Sequence, residues 1–168
     1  MNPHGTHIPV LLACLHRTTG PILEMGGGWY STPLINAFSH GRLARTIESN
    51  PEWFTKISSI GPCHPDTMKS HQFVLAPDYD LAPLEDQQWA VAFIDHAPAE
   101  RRIKEIERLR SHSTLIIAHD TEDDAYNYHP LLSSFRYQYV FRQLVPWTTV
   151  VSDTMPLDWL NEVLARHG

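Results

Sequence analysis

Cysteine is nearly absent from this chain. There are two, Cys14 and Cys63, too few for a disulfide framework and without the CxxC spacing of a structural metal site. They read as ordinary buried thiols in a reducing compartment. Long hydrophobic runs are missing as well. The longest, residues 8–15, is far too short to span a bilayer. No Lys or Arg precedes it and no small-residue cleavage pattern follows it, which points to a cytoplasmic protein without membrane association. Basic residues are in deficit: 13 Lys and Arg stand against 19 Asp and Glu, a formal net charge of -6. That balance repels a phosphate backbone and no basic run offsets it, so no nucleic-acid partner is expected. Internal repeats and low-complexity tracts are also lacking.

What remains is a sequence suited to one globular domain. Its 168 residues are 42% hydrophobic and 19% charged, enough apolar content for a core and too little charge for disorder. Eleven histidines mean that the negative balance shrinks below about pH 6.5.

Apolar runs and turn residues divide the chain into alternating elements. Residues 7–17 read as a helix, with Ile8, Leu11, Leu12 and Leu15 on one face. Residues 22–25 form a first buried strand. A helix over 31–39 follows, with Ser31 or Thr32 as N-cap and Pro33 early, where it is tolerated. A second strand spans 44–48, and Asn50-Pro51 opens a helix to about Ile60. Residues 61–70 are loop, 72–75 a weaker strand, and 76–88 loop again. Residues 89–95 are the strongest central strand. A helix over 98–111 turns Ile103, Ile106 and Leu109 inward. A strand over 114–118 ends in His119-Asp120. Two strands, 137–143 and 147–152, form a closing hairpin. A terminal helix over 156–166 turns Leu157, Leu160, Val163 and Leu164 inward. Strand–helix alternation followed by a hairpin predicts an α/β fold: a doubly wound, mostly parallel seven-stranded sheet with an antiparallel last strand and helices on both faces.

The most informative stretch lies between the first strand and its helix: Glu24-Met25-Gly26-Gly27-Gly28-Trp29-Tyr30-Ser31-Thr32. Strand, glycine turn and helix start make a nucleotide-binding corner, where bare backbone lets a ligand approach and a helix N-terminus offers free N–H groups. In such a sheet, ligands bind outside the carboxyl ends of the strands. The polar residues at which apolar runs stop are Glu24, Glu48, Asp95, His119 and Asp120. Glu48 stands about 20 residues beyond the glycines, where a carboxylate can accept both ribose hydroxyls. Glu24 is the departure from a nicotinamide corner. A carboxylate there repels pyrophosphate but suits a cationic ligand such as a sulfonium amino acid.

Glu24-x-Gly26-x-Gly28, the strand-end Glu48, and Phe93-Ile94-Asp95 ahead of a helix together resemble the class I S-adenosylmethionine-dependent methyltransferases. The resemblance covers nearly the whole chain. It implies that Glu24, Gly26, Gly27 and Gly28 hold the methionine end of S-adenosylmethionine. It places Glu48 on the ribose, Ser49 and Asn50 beside the adenosine, Asp78 or Tyr79 near the adenine, and Asp95 facing the transferring methyl. The metal-dependent O-methyltransferase branch has a similar layout, with an acid ending the fourth strand and an Asp-Asn pair ending the fifth. Asp95, His119 and Asp120 stand at those positions here.

Three readings of Asp95, His119 and Asp120 are open. They hold a divalent ion, His119 is a general base, or they are structural polar groups. His96 lines the same cleft or caps a helix. Tyr30, with Trp29, walls the cofactor or packs in the core, and Ser31 belongs to the same corner. Trp53, Trp89 and Trp147 read as core or interface. Arg101 and Arg102 grip an anionic substrate or form a solvated face, and the acidic run 122–124 is a solvated loop. The expected activity is methyl transfer to a small-molecule acceptor, on oxygen. The alternatives are a non-catalytic S-adenosylmethionine-binding subunit and a nicotinamide-dependent reductase. With no room for a substrate domain, specificity falls to the N-terminal helix, residues 61–70 and residues 120–134, or to a homo-oligomer partner.

Overall fold

The computed structural model describes residues 2–60, 70–122 and 124–165. Cys63, His64, Asp123 and the expected substrate loop at 61–69 lie outside them. Seven strands, β1 (Ile22–Met25), β2 (Ala44–Glu48), β3 (His71–Leu75), β4 (Trp89–Ile94), β5 (Ser113–His119), β6 (Tyr137–Phe141) and β7 (Thr148–Ser152), form one sheet in the order β3-β2-β1-β4-β5-β7-β6. β1 to β5 run parallel; β7 is antiparallel to both β5 and β6. The hairpin therefore folds its second strand inboard and leaves β6 at the edge. Around the sheet lie α1 (Ile8–Arg17), α2 (Ser31–Phe38), α3 (Pro51–Ser58), α4 (Arg102–Leu109), α5 (His129–Leu132) and α6 (Asp158–Leu164). None of the described helices is long and apolar enough to cross a membrane.

β4 and residues 115–118 of β5 are apolar at every position because both faces are covered, and β1 departs from this only at Glu24. Ile22, Val91, Phe93, Leu115 and Ile117 pack on one face under Val10, Leu11, Cys14 and Leu15 of α1, Ile35 of α2 and Leu160 of α6. Leu23, Met25, Ala92, Ile94, Ile116 and Ala118 pack on the other, under Ile106 and Leu109 of α4 and Leu132 of α5. Each wholly buried Leu or Ile contributes roughly 1.5–3 kcal/mol. Phe93→Ala alone would cost about 3–5 kcal/mol.

Several local expectations are corrected. In α1 the buried face includes Val10 and Cys14, while Ile8 and Leu12 are only half-buried. They border an apolar groove shared with Trp159 and Val163 of α6. Val163 is 43% exposed rather than inward. The helix over 98–111 begins later, because a 3-10 turn at Ala99–Arg101 precedes α4. Neither Ser31 nor Thr32 caps α2; Tyr30 holds the cap position without a side-chain bond. Thr32 is otherwise engaged, below. Asn50 does cap α3, its Oδ1 accepting the N–H groups of Glu52 and Trp53 at 2.9 Å.

The strand order positions the site. β1 is flanked by β2 on one side and β4 on the other, so the chain connections leave in opposite directions. A crevice opens at the carboxyl ends of β1 and β4. Gly26 and Asp95, the first residues beyond those two strands, face each other across it.

Candidate functional site

The glycine turn is shaped by what it packs against. Gly26 has φ +83° and a Cβ there would lie 2.5 Å from the His96 Cα. Both backbone sign and space require glycine. A Cβ on Gly27 would lie 2.6 Å from Ile57 Cγ2. Gly28 meets only the mobile end of Ser31; its backbone instead borders open cavity. Thr32 locks the turn onto its helix. Its Oγ1 accepts the Gly28 N–H at 2.9 Å and donates to Glu24. Trp53 locks it from α3, its indole Nε1 donating to the Gly27 carbonyl at 2.7 Å.

Glu24 lies beneath this turn, wholly buried. Thr46 Oγ1 donates to its Oε2 at 2.6 Å, and His71 Nε2 stands 2.8 Å from the same hydroxyl. Burial pushes the Glu24 carboxyl up to about 7, against the hydrogen bonds of Ser31, Thr46 and Thr32 that favour ionisation. Glu24 is not among the cavity-lining residues; it anchors the turn from below. Glu48 is buried at the end of β2. Its Oε1 accepts the N–H groups of Ser49 and Asn50 at 2.8 and 2.9 Å, which fixes the carboxylate at the carboxyl end of β2; like Ser49 and Asn50, it is not among the residues lining the cavity described below.

Across the crevice, Asp95 joins a four-membered charge cluster. Arg102 of α4 lies 3.1 Å from Asp95 Oδ1 and 3.0 Å from Asp120 Oδ2. It also donates to the carbonyls of His96 and His119. His119 Nδ1 stands 3.3 Å from both Asp95 Oδ1 and Asp120 Oδ1. Its Nε2 lies 2.9 Å from Thr6 Oγ1. The Thr6 hydroxyl also lies 2.8 Å from the Pro146 carbonyl and 3.3 Å from that of Pro3. Burial opposes a charged His119 ring, but the hydrogen bond and charge of Asp95, with Asp120, raise its pKa above the ordinary histidine value. Burial likewise opposes ionised Asp95, yet His119 and Arg102 hold it below the usual carboxylate range.

The residues of the expected metal set are brought together only in part. His7, Asp95 and His119 place one ligand atom each within 4.8 Å of one another, a donor set compatible with a transition-metal ion. Asp120 pairs instead with Arg102 at 3.0 Å, and the same guanidinium, 3.1 Å from Asp95, weakens the pull of both acids on a further cation.

A cavity of about 540 Å³ opens between the glycine turn and this cluster. Gly27, Gly28, Trp29, Tyr30, Ser31 and Trp53 line one side, Asp95 and His7 another, and Asn2 and His4 a third. His96 is not part of it. It is buried on the opposite side of the chain, its ring 4.3 Å from Tyr79 and Nε2 3.3 Å from Glu105. Tyr79 is buried, whereas Asp78 stays exposed. Arg101 pairs with Asp80 at 2.7 Å and with Glu105 at 3.1 Å, so both it and Arg102 are engaged by acids of the chain. Trp53 lines the cavity, while Trp89 is buried. Glu122 accepts the Trp147 N–H at 2.7 Å. Sequence reasoning missed Thr6, His7 and Thr46 as site residues, and it named Thr32, Arg102 and Trp53 in other roles. For His96 a signal existed: successive residues of an extended segment point to opposite faces, so the neighbour of Asp95 points away from the crevice.

No family model and no curated protein sequence matches the chain. Solved structures do. An O-methyltransferase from Bacillus cereus in complex with S-adenosylhomocysteine is 18% identical, with a TM-score of 0.67 over 90% of this chain and 82% of that one. The O-methyltransferase TomG from Streptomyces achromogenes, in complex with S-adenosylmethionine, is 17% identical, with a TM-score of 0.66 over 92% and 81%. The N-terminal domain of human METTL16 in complex with S-adenosylhomocysteine is 12% identical, with a TM-score of 0.62 over 89% and 69%. Together with the strand order and the antiparallel β7, these likenesses give the chain the Rossmann-like fold of the class I S-adenosylmethionine-dependent methyltransferases.

Proposed function

We propose that this protein transfers a methyl group from S-adenosylmethionine to an oxygen of a small molecule. The observation that carries the reading is the pairing, at the carboxyl ends of adjacent strands, of a glycine turn in which Gly26 and Gly27 admit no side chain with a strand-end carboxylate, Glu48, held by the N–H groups of Ser49 and Asn50. The two named O-methyltransferases of the same fold support the choice of oxygen.

The residues present fit the cofactor. Gly27 and Gly28 offer bare backbone to the cavity beside the N-terminus of α2, suited to the carboxylate of an amino acid. Glu48 would accept the ribose hydroxyls, with Ser49 and Asn50 beside the adenosine. When bound, S-adenosylmethionine supplies a methyl on a positively charged sulfur, open to in-line displacement. The chain contributes alignment and charge. Asp95 presents a carboxylate to that positive centre. His119, Arg102 and Asp120 hold Asp95 in place and ionised. Trp29, Tyr30 and Trp53 wall the cavity against water. Glu24, Thr32 and Thr46 keep the turn from sagging into the core.

Calorimetric titration with S-adenosylmethionine and S-adenosylhomocysteine tests the reading. Binding of both is expected, and Glu48→Ala weakens each by about tenfold to a hundredfold through lost charge-assisted hydrogen bonds. Absence of binding to the unsubstituted protein would refute it.

A further inference from the structure

His7 is the conspicuous group that the charge cluster leaves over. It is 1% exposed, yet neither ring nitrogen has a hydrogen-bond partner. A buried imidazole with both nitrogens unsatisfied carries a desolvation penalty unless something meets them. Its ring borders the cavity. It is fixed there on two sides, 4.7 Å from Phe93 and edge-on 4.9 Å from His119. The neighbouring Thr6 holds this segment over the strand ends through Pro146 and His119. A polar side chain is thus held rigidly, unpaired, on the wall of a cavity that also contains Asp95.

We propose that His7 is the acceptor-binding base of this site, and that its acceptor is an uncharged, flat, hydroxyl-bearing molecule. The inference rests on the methyl-transfer reading and names the substrate class for it. One nitrogen of a neutral imidazole donates and the other accepts, the complement of a hydroxyl. Charge selects against an anion. Among the described residues no Lys or Arg lines the cavity, Asp95 does, and Arg102 is spent on Asp95 and Asp120. Flatness follows from the walls. Trp29 is 55% and Tyr30 38% exposed, with Trp53 set edge-on to Trp29 at 5.6 Å, faces that a planar ring would cover.

In the reaction the acceptor O–H bond breaks toward His7. The proton passes to the free ring nitrogen, and the O–H electron pair stays on oxygen, which uses a lone pair to form its new bond to the methyl carbon as the carbon–sulfur bond breaks and its electron pair returns to sulfur, leaving S-adenosylhomocysteine. Burial first, then the charge of His119, push the His7 pKa down to about 4, against the pull of Asp95. The ring is therefore unprotonated at neutral pH, and as a weak base it takes the proton only as the new bond to carbon makes the oxygen acidic. It also returns the proton readily to water.

The test uses protein labelled with 15N at histidine, saturated with S-adenosylhomocysteine, and three probes: 4-hydroxybenzamide, benzamide and 4-hydroxybenzoate. The cofactor product's own affinity, measured on the same sample, reports separately on the methyl-transfer reading. The expected result is that 4-hydroxybenzamide shifts the His7 ring nitrogen resonances, benzamide does not, and the anionic benzoate binds more weakly. His7→Phe should weaken 4-hydroxybenzamide by about tenfold and leave benzamide and S-adenosylhomocysteine unchanged. The resonances of the unsubstituted protein decide the matter should that variant misfold. Equal response to phenol and non-phenol, preference for the anion, or joint shifts of His7 and His119 on adding Zn²⁺ or Mn²⁺ alone would each overturn the proposal.

Discussion

Replacing Glu24 by Gln should change the pH dependence of stability more than stability itself. The shape is preserved. Gln Oε1 can accept from Thr32, and its amide can donate to Thr46, which then turns its proton toward His71 Nε2. The charge is what is lost. The folded carboxyl sits at about 7 against an ordinary 4.5, raised by burial. A raised folded-state value means that Glu24 favours folding below pH 4.5, and this contribution disappears as pH climbs through 7. The full swing is roughly 3.4 kcal/mol, of which about 2.5 kcal/mol falls between pH 5 and pH 8. His7 and His71, each pushed down to about 4 chiefly by burial, act in the opposite sense. They favour folding above pH 6.5, a contribution lost as pH falls toward 4. Both variants share that loss, so the difference between them isolates Glu24. Urea unfolding of both proteins at pH 5, 6, 7 and 8 should show Glu24→Gln gaining on the parent by about 2.5 kcal/mol across the range. A difference constant with pH would show that Glu24 titrates normally and that its place beneath the turn is wrong.

Two further substitutions probe the crevice. Gly26→Ala places a Cβ 2.5 Å from the His96 backbone at φ +83°; thermal unfolding should fall by several degrees, for a cost of at least about 2 kcal/mol, and an unchanged midpoint would contradict the packing. Arg102→Met leaves Asp95 and Asp120 facing each other with only His119 between them. Because both acids are partly exposed, the cost is discounted to about 2 kcal/mol from the buried-pair range. Since the Arg102 charge lowers the His119 pKa, its removal should move the His119 NMR titration to higher pH. A downward move would show that the two do not interact as described.

The sheet was readable because its central strands are buried on both faces. β4 and residues 115–118 of β5 are unbroken apolar runs, β1 is one but for Glu24, and Asp95 and His119 mark where β4 and β5 stop, as Glu48 does for β2. Residue order along one strand carries that information. The chemistry between elements was not readable. Thr6 and His119 are 113 residues apart, and nothing local ties them. His7 stands ahead of an amphipathic helix, where a polar residue looks like a cap. Arg102 lies in the run Arg101-Arg102-Ile103-Lys104-Glu105, which looks like a solvated helix face, and only the packing of α4 on the sheet turns two of its charges, Arg102 and Glu105, inward. Glu24 was recognised as unusual, but which way it points depends on hydroxyls from α2 and β2. The sequence therefore located the strand ends, whereas the pairing of charges, and with it the surroundings of His119 and His7, required the assembled cluster.

The central claim is that the crevice between β1 and β4 binds S-adenosylmethionine and presents its methyl to an acceptor. The most direct measurement is isothermal titration of the protein with S-adenosylhomocysteine, run in parallel on Glu48→Ala. One site per chain on the unsubstituted protein, with affinity at least tenfold weaker in the variant, is the predicted result. No heat of binding, or binding indifferent to Glu48, would contradict it.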